Sequence, residues 1–95
     1  MRKQIIIDGK IDLHGYTQDQ AFDSLSRFLS DSCAEQKRLV IIVTGKGSPD
    51  KPGIIKTMLP RWLEYTSLKR YVSSYETAPI NFGGSGALLV KLKKS

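Results

Sequence analysis

The sequence predicts a small α/β domain in which six elements follow one another as β-α-β-α-β-β, with two helices laid over one face of a single sheet. Three observations predict it. Apolar residues recur at helical spacing in two separate stretches; short apolar runs lie on either side of each; and turns rich in glycine and proline mark the boundaries. A chain of 95 residues is long enough for one such core and too short for two.

Ile5–Ile7 reads as an extended lead-in closed by the turn signal Asp8-Gly9, and Ile11–Leu13 as the core of a first strand ended by Gly15. Thr17 opens a helix that runs to about Cys33. Thr17 and Gln20, three apart, form a capping box, and Ala21, Phe22, Leu25, Phe28, Leu29 and Cys33 share one face. Leu39–Val43 is an unbroken, largely β-branched run, as in a central strand with cover on both faces. It ends in Thr44-Gly45-Lys46-Gly47, and a loop with Ser48, Pro49, Asp50 and Pro52 follows.

From Gly53 to about Tyr65 the pattern is helical again, through Ile54, Ile55, Met58, Leu59, Trp62 and Leu63. Pro60 lies inside it. Proline removes a helical hydrogen bond, so the helix either kinks at Pro60, which is the preferred reading, or begins a second segment there. Arg70–Tyr75 is a third strand, Glu76–Gly86 a loop and Ala87–Leu92 a last strand. A helical crossover makes the first strand pair parallel. Two helices cover one sheet face well and leave the other open as a candidate binding surface.

Fifteen Lys and Arg against nine Asp and Glu give a net charge of +6, which favours a polyanionic partner, nucleic acid ahead of an anionic membrane surface. One cysteine, Cys33, excludes an internal disulfide, and with a single histidine it excludes a Cys/His zinc site. No apolar run approaches the ~20 residues of a membrane span, and the three isoleucines after Met1-Arg2-Lys3-Gln4 are too few for a signal peptide. A cytoplasmic protein with no membrane partner is the expectation.

The candidate chemistry lies at the ends of the first two strands. Asp12 and His14 are two apart on the expected strand, so their side chains share a face with Cα atoms about 6.6 Å apart, and Ile11 and Leu13 point to the core. Imidazole is the side chain that exchanges a proton near neutrality, so His14 is a candidate general base or acid, with Asp12 placed to orient it. The structural alternative is that His14 only closes the strand end. Gly45 and Gly47 allow backbone amides to approach a phosphate and Lys46 adds a positive charge, although a plain tight turn reads the same way and no P-loop motif is present. Both features fall where α/β sheets place their ligands. Lys56 and Arg61 are candidate phosphate contacts on the second helix. Tyr16 is a candidate for base stacking or a staple of the helix start; Trp62 at apolar spacing belongs to the core.

Taken together, these motifs resemble one family. Ile11-Asp12-Leu13-His14-Gly15, Thr44-Gly45-Lys46-Gly47, Gly53-Ile54-Ile55-Lys56 with Trp62-Leu63, and Gly83-Gly84-Ser85-Gly86-Ala87 with Val90 are similar, in order and spacing, to the motifs of the Smr (small MutS-related) domain. The resemblance covers residues 11 to 92. It implies a two-layer α/β sandwich similar to the C-terminal domain of bacterial translation initiation factor three. It also implies nucleic-acid binding and, in several members, endonuclease activity on RNA or DNA, with Asp12, His14, Gly45, Lys46 and Gly47 at the site. Residues 1–10 would be a lead-in and 11–95 the domain itself, a minimal protein or a piece of a longer one.

Three functional readings follow. In the first, the domain is a phosphodiesterase favouring RNA: His14 moves the proton, Asp12 orients it, and Lys46 with the loop amides stabilises charge on the phosphate. That scheme needs no metal and is compatible with a Mg²⁺ held by Asp12. In the second, it is a non-catalytic module docking on RNA, ribosomes or DNA. In the third, it is a protein-interaction domain whose charge is incidental.

Overall fold

The computed structural model describes residues 6–45 and 53–94. The elements are β1 (Gly9–Asp12), α1 (Gln18–Ala34), β2 (Leu39–Val43), α2 (Ile54–Tyr65), β3 (Val72–Thr77) and β4 (Ala87–Leu92), in the order the sequence predicts. They build one mixed sheet, β1-β2-β4-β3, in which β1 and β2 are parallel and β4 is antiparallel to both neighbours.

The start of α1 is the expected capping box. Thr17 Oγ1 accepts from the Gln20 amide at 3.2 Å, and Gln20 Oε1 accepts from the Thr17 amide at 3.1 Å. Helix α2 runs through Pro60 as a single element, so Pro60 does not begin a separate segment. Side-chain alternation along the central strands sorts the core. Val40 and Ile42 of β2 lie opposite Val90 and Leu88 of β4, on the face that packs against Leu25 and Leu29 of α1 and Leu59, Trp62 and Leu63 of α2. Trp62 is a core residue, 7% exposed, with its ring edge-on to Phe22 at 5.4 Å between centroids.

Four expectations are corrected. The first strand begins at Gly9 and ends at Asp12, so Asp8-Gly9 is not a turn and His14 is not on the strand. The Asp8 carboxylate accepts from the Arg38 and Leu39 amides at 2.9 and 3.1 Å, which ties the start of β1 to β2. Those two amides, ahead of any other influence, hold its pKa below the ordinary 3.8. The third strand begins at Val72, because Ser67–Tyr71 forms a 3-10 turn whose Leu68 amide is capped by Thr66 Oγ1. The expected Glu76–Gly86 loop starts after Thr77 and contains two more 3-10 turns, Ile80–Phe82 and Gly84–Gly86. Finally, the face away from the helices is only partly open. Ile41, Ala87 and Leu89 form a second buried cluster with Ala78, against which Ile7 and Phe82 pack, and Ile41 is 1% exposed.

Candidate functional site

Parallel pairing of β1 and β2 brings their C-terminal ends side by side, Asp12 opposite Val43. The pairing carries on one step further through the Leu13 amide, which donates to the Val43 carbonyl at 2.7 Å. Past that point the chain turns. The Asp12 carboxylate accepts from the His14 amide at 2.9 Å, the Tyr16 amide donates to the Leu13 carbonyl at 3.2 Å, and Gly15 adopts φ +82°. Asp12 therefore fixes the backbone on which His14 sits. The strand geometry expected for the pair is replaced by a turn that leaves both residues exposed.

Gly45, at φ +80°, lies against His14: a Cβ built on it would sit 3.9 Å from the imidazole Cδ2. The Gly83–Gly86 segment holds this region from behind. The Gly86 carbonyl accepts from the Thr44 and Gly45 amides at 2.9 and 3.1 Å. Gly83 is required there by its φ of +117°, and a Cβ on it would come within 2.9 Å of the Ala87 Cβ. Two glycine-bearing motifs far apart in sequence thus act together, one shaping the loop beside His14 and the other anchoring it.

Beside His14 and Gly45 opens a cleft of about 740 Å³, within the size range of ligand sites. It is lined by the turn from Gly15 to Asp19, by Thr44, and by Gly53, Ile54 and Ile55. Both helices point their N-termini into it. In the first turn of α1 the capping box takes the Gln20 amide, and the acidic Asp19 stands beside it. The first turn of α2 is different. Gly53 makes no side-chain cap, and the first helical bond runs from the Thr57 amide to the Gly53 carbonyl at 3.1 Å. The Ile54, Ile55 and Lys56 amides thus have no acceptor among the described residues, at the positive end of the helix dipole. Such an end is suited to an anion.

Of the sequence candidates, Tyr16 lines the cleft and is 43% exposed, Gly45 and His14 stand next to it, and Lys56 is half-buried on the first turn of α2. Arg61 is exposed on α2 about 10 Å further along the helix axis and is not brought to the cleft. Lys46 and Gly47 lie outside the described residues. Sequence reading missed Thr17–Asp19 and Gly53–Ile55 as lining, although the capping box and the glycine before the second apolar stretch marked both helix starts. Among the described residues, no group of three or more His, Cys, Asp or Glu side chains is placed to hold a metal ion. No helix among them is long and apolar enough to cross a membrane.

The family model for the Smr domain matches residues 11–93. The chain belongs to the Smr domain family. Its fold is likewise that of solved Smr domains. The Smr domain of Thermus thermophilus MutS2 superposes with a TM-score of 0.76 at 25% identity, covering 90% of this chain and 98% of that one. YdaL, a stand-alone small MutS-related protein from Escherichia coli, superposes with a TM-score of 0.79 at 31% identity over 90% of this chain and 64% of its own. In sequence, this Smr domain is 37% identical over 83 residues to endonuclease MutS2 of Helicobacter pylori, matching 87% of the chain and 10% of that protein. It is 34% identical over 80 residues to the ribosome rescue factor SmrB of a Shewanella species, 84% of the chain and 42% of that protein. The Smr domain described here thus spans a tenth of the first relative and about two fifths of the second.

Proposed function

We propose that this Smr domain binds nucleic acid, with RNA favoured, in the cleft between its two helix starts and cuts a phosphodiester bond there. The observation that carries the reading is the first turn of α2, which has no side-chain cap and whose amides have no acceptor among the described residues, facing a cleft beside His14 and Gly45. One relative is named an endonuclease and another a ribosome rescue factor, which fits a phosphate-bearing substrate and a cytoplasmic setting.

A phosphate in the cleft accepts hydrogen bonds from the open α2 amides, with positive charge from Lys56 and, on sequence grounds, Lys46. Gly45, and on sequence grounds Gly47, let the backbone approach the phosphate. His14 takes the proton of the ribose 2′-hydroxyl; the freed oxygen attacks phosphorus; the 5′-oxygen of the downstream nucleotide leaves with a proton from water, and the proton on His14 returns to solvent. Upstream product ends in a 2′,3′-cyclic phosphate. Asp12 is a positioning residue, acting through the His14 amide. No step of this scheme runs through a metal.

The test is incubation of wild type and His14→Ala with end-labelled RNA and with the same strand carrying a 2′-deoxyribose at the cut. Cutting that disappears with either change, leaving cyclic-phosphate ends, is the expected result. Undiminished cutting by His14→Ala, or 3′-hydroxyl ends, overturns the mechanism. A second reading, a binding module that does not cut, draws on one observation: the Asp12 carboxylate engages the His14 backbone. It predicts salt-sensitive binding with every strand left intact.

A further inference from the structure

The end of the sheet opposite the cleft carries a second concentration of charge. Lys37, Arg38, Lys93 and Lys94, with Gln36, line a depression of about 190 Å³. Two distant segments meet there because β2 and β4 pair antiparallel, with Leu39 opposite Lys91, and the Leu92 amide donates to the Arg38 carbonyl at 2.8 Å. The Lys93 amide is held by the Tyr71 carbonyl at 3.0 Å, and the Arg70 guanidinium sits 5.9 Å from the centre of the Tyr71 ring, adding charge to the same edge.

The backbone under these cations is fixed. At the end of α1 the Lys37 amide donates to the Ser32 carbonyl at 2.9 Å and the Gln36 amide to the Cys33 carbonyl at 3.0 Å, the paired pattern of a Schellman motif. Its left-handed position normally takes glycine; here Gln36 holds it at φ +62°. A glutamine puts an amide side chain beside the depression where glycine would put none. Nearby acids are already engaged: Glu35 pairs with Lys37 at 3.1 Å, and the Asp8 carboxylate is taken by the Arg38 and Leu39 amides. Arg38, Lys93 and Lys94 form no ion pair among the described residues.

We propose that this depression is a second phosphate-binding site, gripping the backbone of the same nucleic-acid strand whose reacting segment enters the cleft. The proposal rests on the reading above for its choice of ligand. Cleft and depression lie at the two ends of β2, roughly 15–20 Å apart by strand length. A base-stacked strand covers that distance in about five or six nucleotides at the helical rise of ~3.4 Å each. Short strands therefore reach one site and longer strands reach both.

The experiment compares binding of single-stranded RNAs of about 4 and about 12 nucleotides, 2′-O-methylated so that they stay intact, between about 0.05 and 0.2 M salt. The variant is Arg38→Gln/Lys93→Gln, and Lys10→Gln/Arg27→Gln removes the same charge elsewhere. Both pairs are exposed, and an unchanged melting temperature confirms that each variant folds. For the longer RNA, the first variant loses roughly 20-fold in affinity near 0.1 M salt and about 1.4 in salt slope, two contacts at ~0.7 each. The shorter RNA is unaffected, and the control variant keeps wild-type affinity. Equal losses in both variants, or equal losses for both lengths, overturn the second site. Competition by poly-glutamate as strong as by RNA overturns the choice of a nucleic-acid backbone. Loss in Arg38→Gln/Lys93→Gln without any effect of Gly53→Asp at the cleft leaves the second site standing and removes the cleft reading. A longer RNA that wild type does not bind at the lowest salt overturns both.

Discussion

Helix α1 carries a capping motif at each end, whereas α2, which starts at the same cleft, has no side-chain cap, and its first three amides have no acceptor among the described residues. Thr17 and Gln20 cap the start of α1, and the Gln36 and Lys37 amides satisfy its last carbonyls. α2 begins at Gly53 with no side-chain cap, contains Pro60, which cannot donate to the Lys56 carbonyl, and ends on Thr66, whose amide donates to the Trp62 carbonyl at 3.3 Å. What holds α2 is burial: Ile55, Leu59, Trp62 and Leu63 all enter the core. The contrast separates two ways of holding a helix. Local capping suffices for α1; packing along its flank holds α2 and frees its start to meet a ligand.

The largest expected effect tests that dependence on packing. Trp62→Ala should cost about 3–5 kcal/mol in urea unfolding, a large part of a small domain's stability. A loss under about 1 kcal/mol would show that α2 stands without its core contacts. Next comes the α1 cap: Thr17→Ala should cost about 1 kcal/mol, read as a lower urea midpoint. At the other end of α1, Gln36→Gly relieves a left-handed glutamine and should gain roughly 0.5 kcal/mol, read as a higher urea midpoint. The sharpest comparison is Gly53→Asp, which gives α2 the cap it lacks. It should raise stability by about 0.3–0.5 kcal/mol while its carboxylate, occupying the open amides, weakens RNA binding roughly fivefold. A variant that is more stable and binds as tightly as wild type would mean the α2 start is not the phosphate seat.

The smallest effect concerns pH. The folded-state pKa of Asp8 lies below 3.8, so its contribution to stability is present above that value and lost as pH falls through the folded pKa. Asp8→Asn should flatten the acid limb of a stability-pH curve and leave the neutral region nearly parallel to wild type.

Features encoded in a few neighbouring residues were legible in the sequence. The capping box, the β2 run, the bounds of β4 and the burial of Trp62 all came from local pattern, and so did the convergence of the His14 and Gly45 motifs at one sheet edge. Long-range bonds were not legible. Asp8-Gly9 looked like a turn because nothing nearby reveals that the Asp8 carboxylate takes amides thirty residues away. His14 was expected on the strand because the alternation does not show Asp12 turning back onto the next-but-one amide. The cationic depression joins residues 36–38 to 93–94 through the β2–β4 register, which no local pattern in either segment reveals.

Asp12 ends β1, a four-residue strand that among the described residues lies at the sheet edge and pairs with β2 alone. The Asp8 carboxylate secures one end of it and the buried Leu13 the other. An edge element of this kind can detach in a sub-global opening while the helices stay folded. Amide hydrogens from Gly9 to Leu13 should then exchange ahead of those in β2 and β4. The integrity of the His14 turn would be lost at a lower denaturant concentration than the helical circular-dichroism signal, so a sample that still looks folded to a far-ultraviolet spectrum can already lack its site.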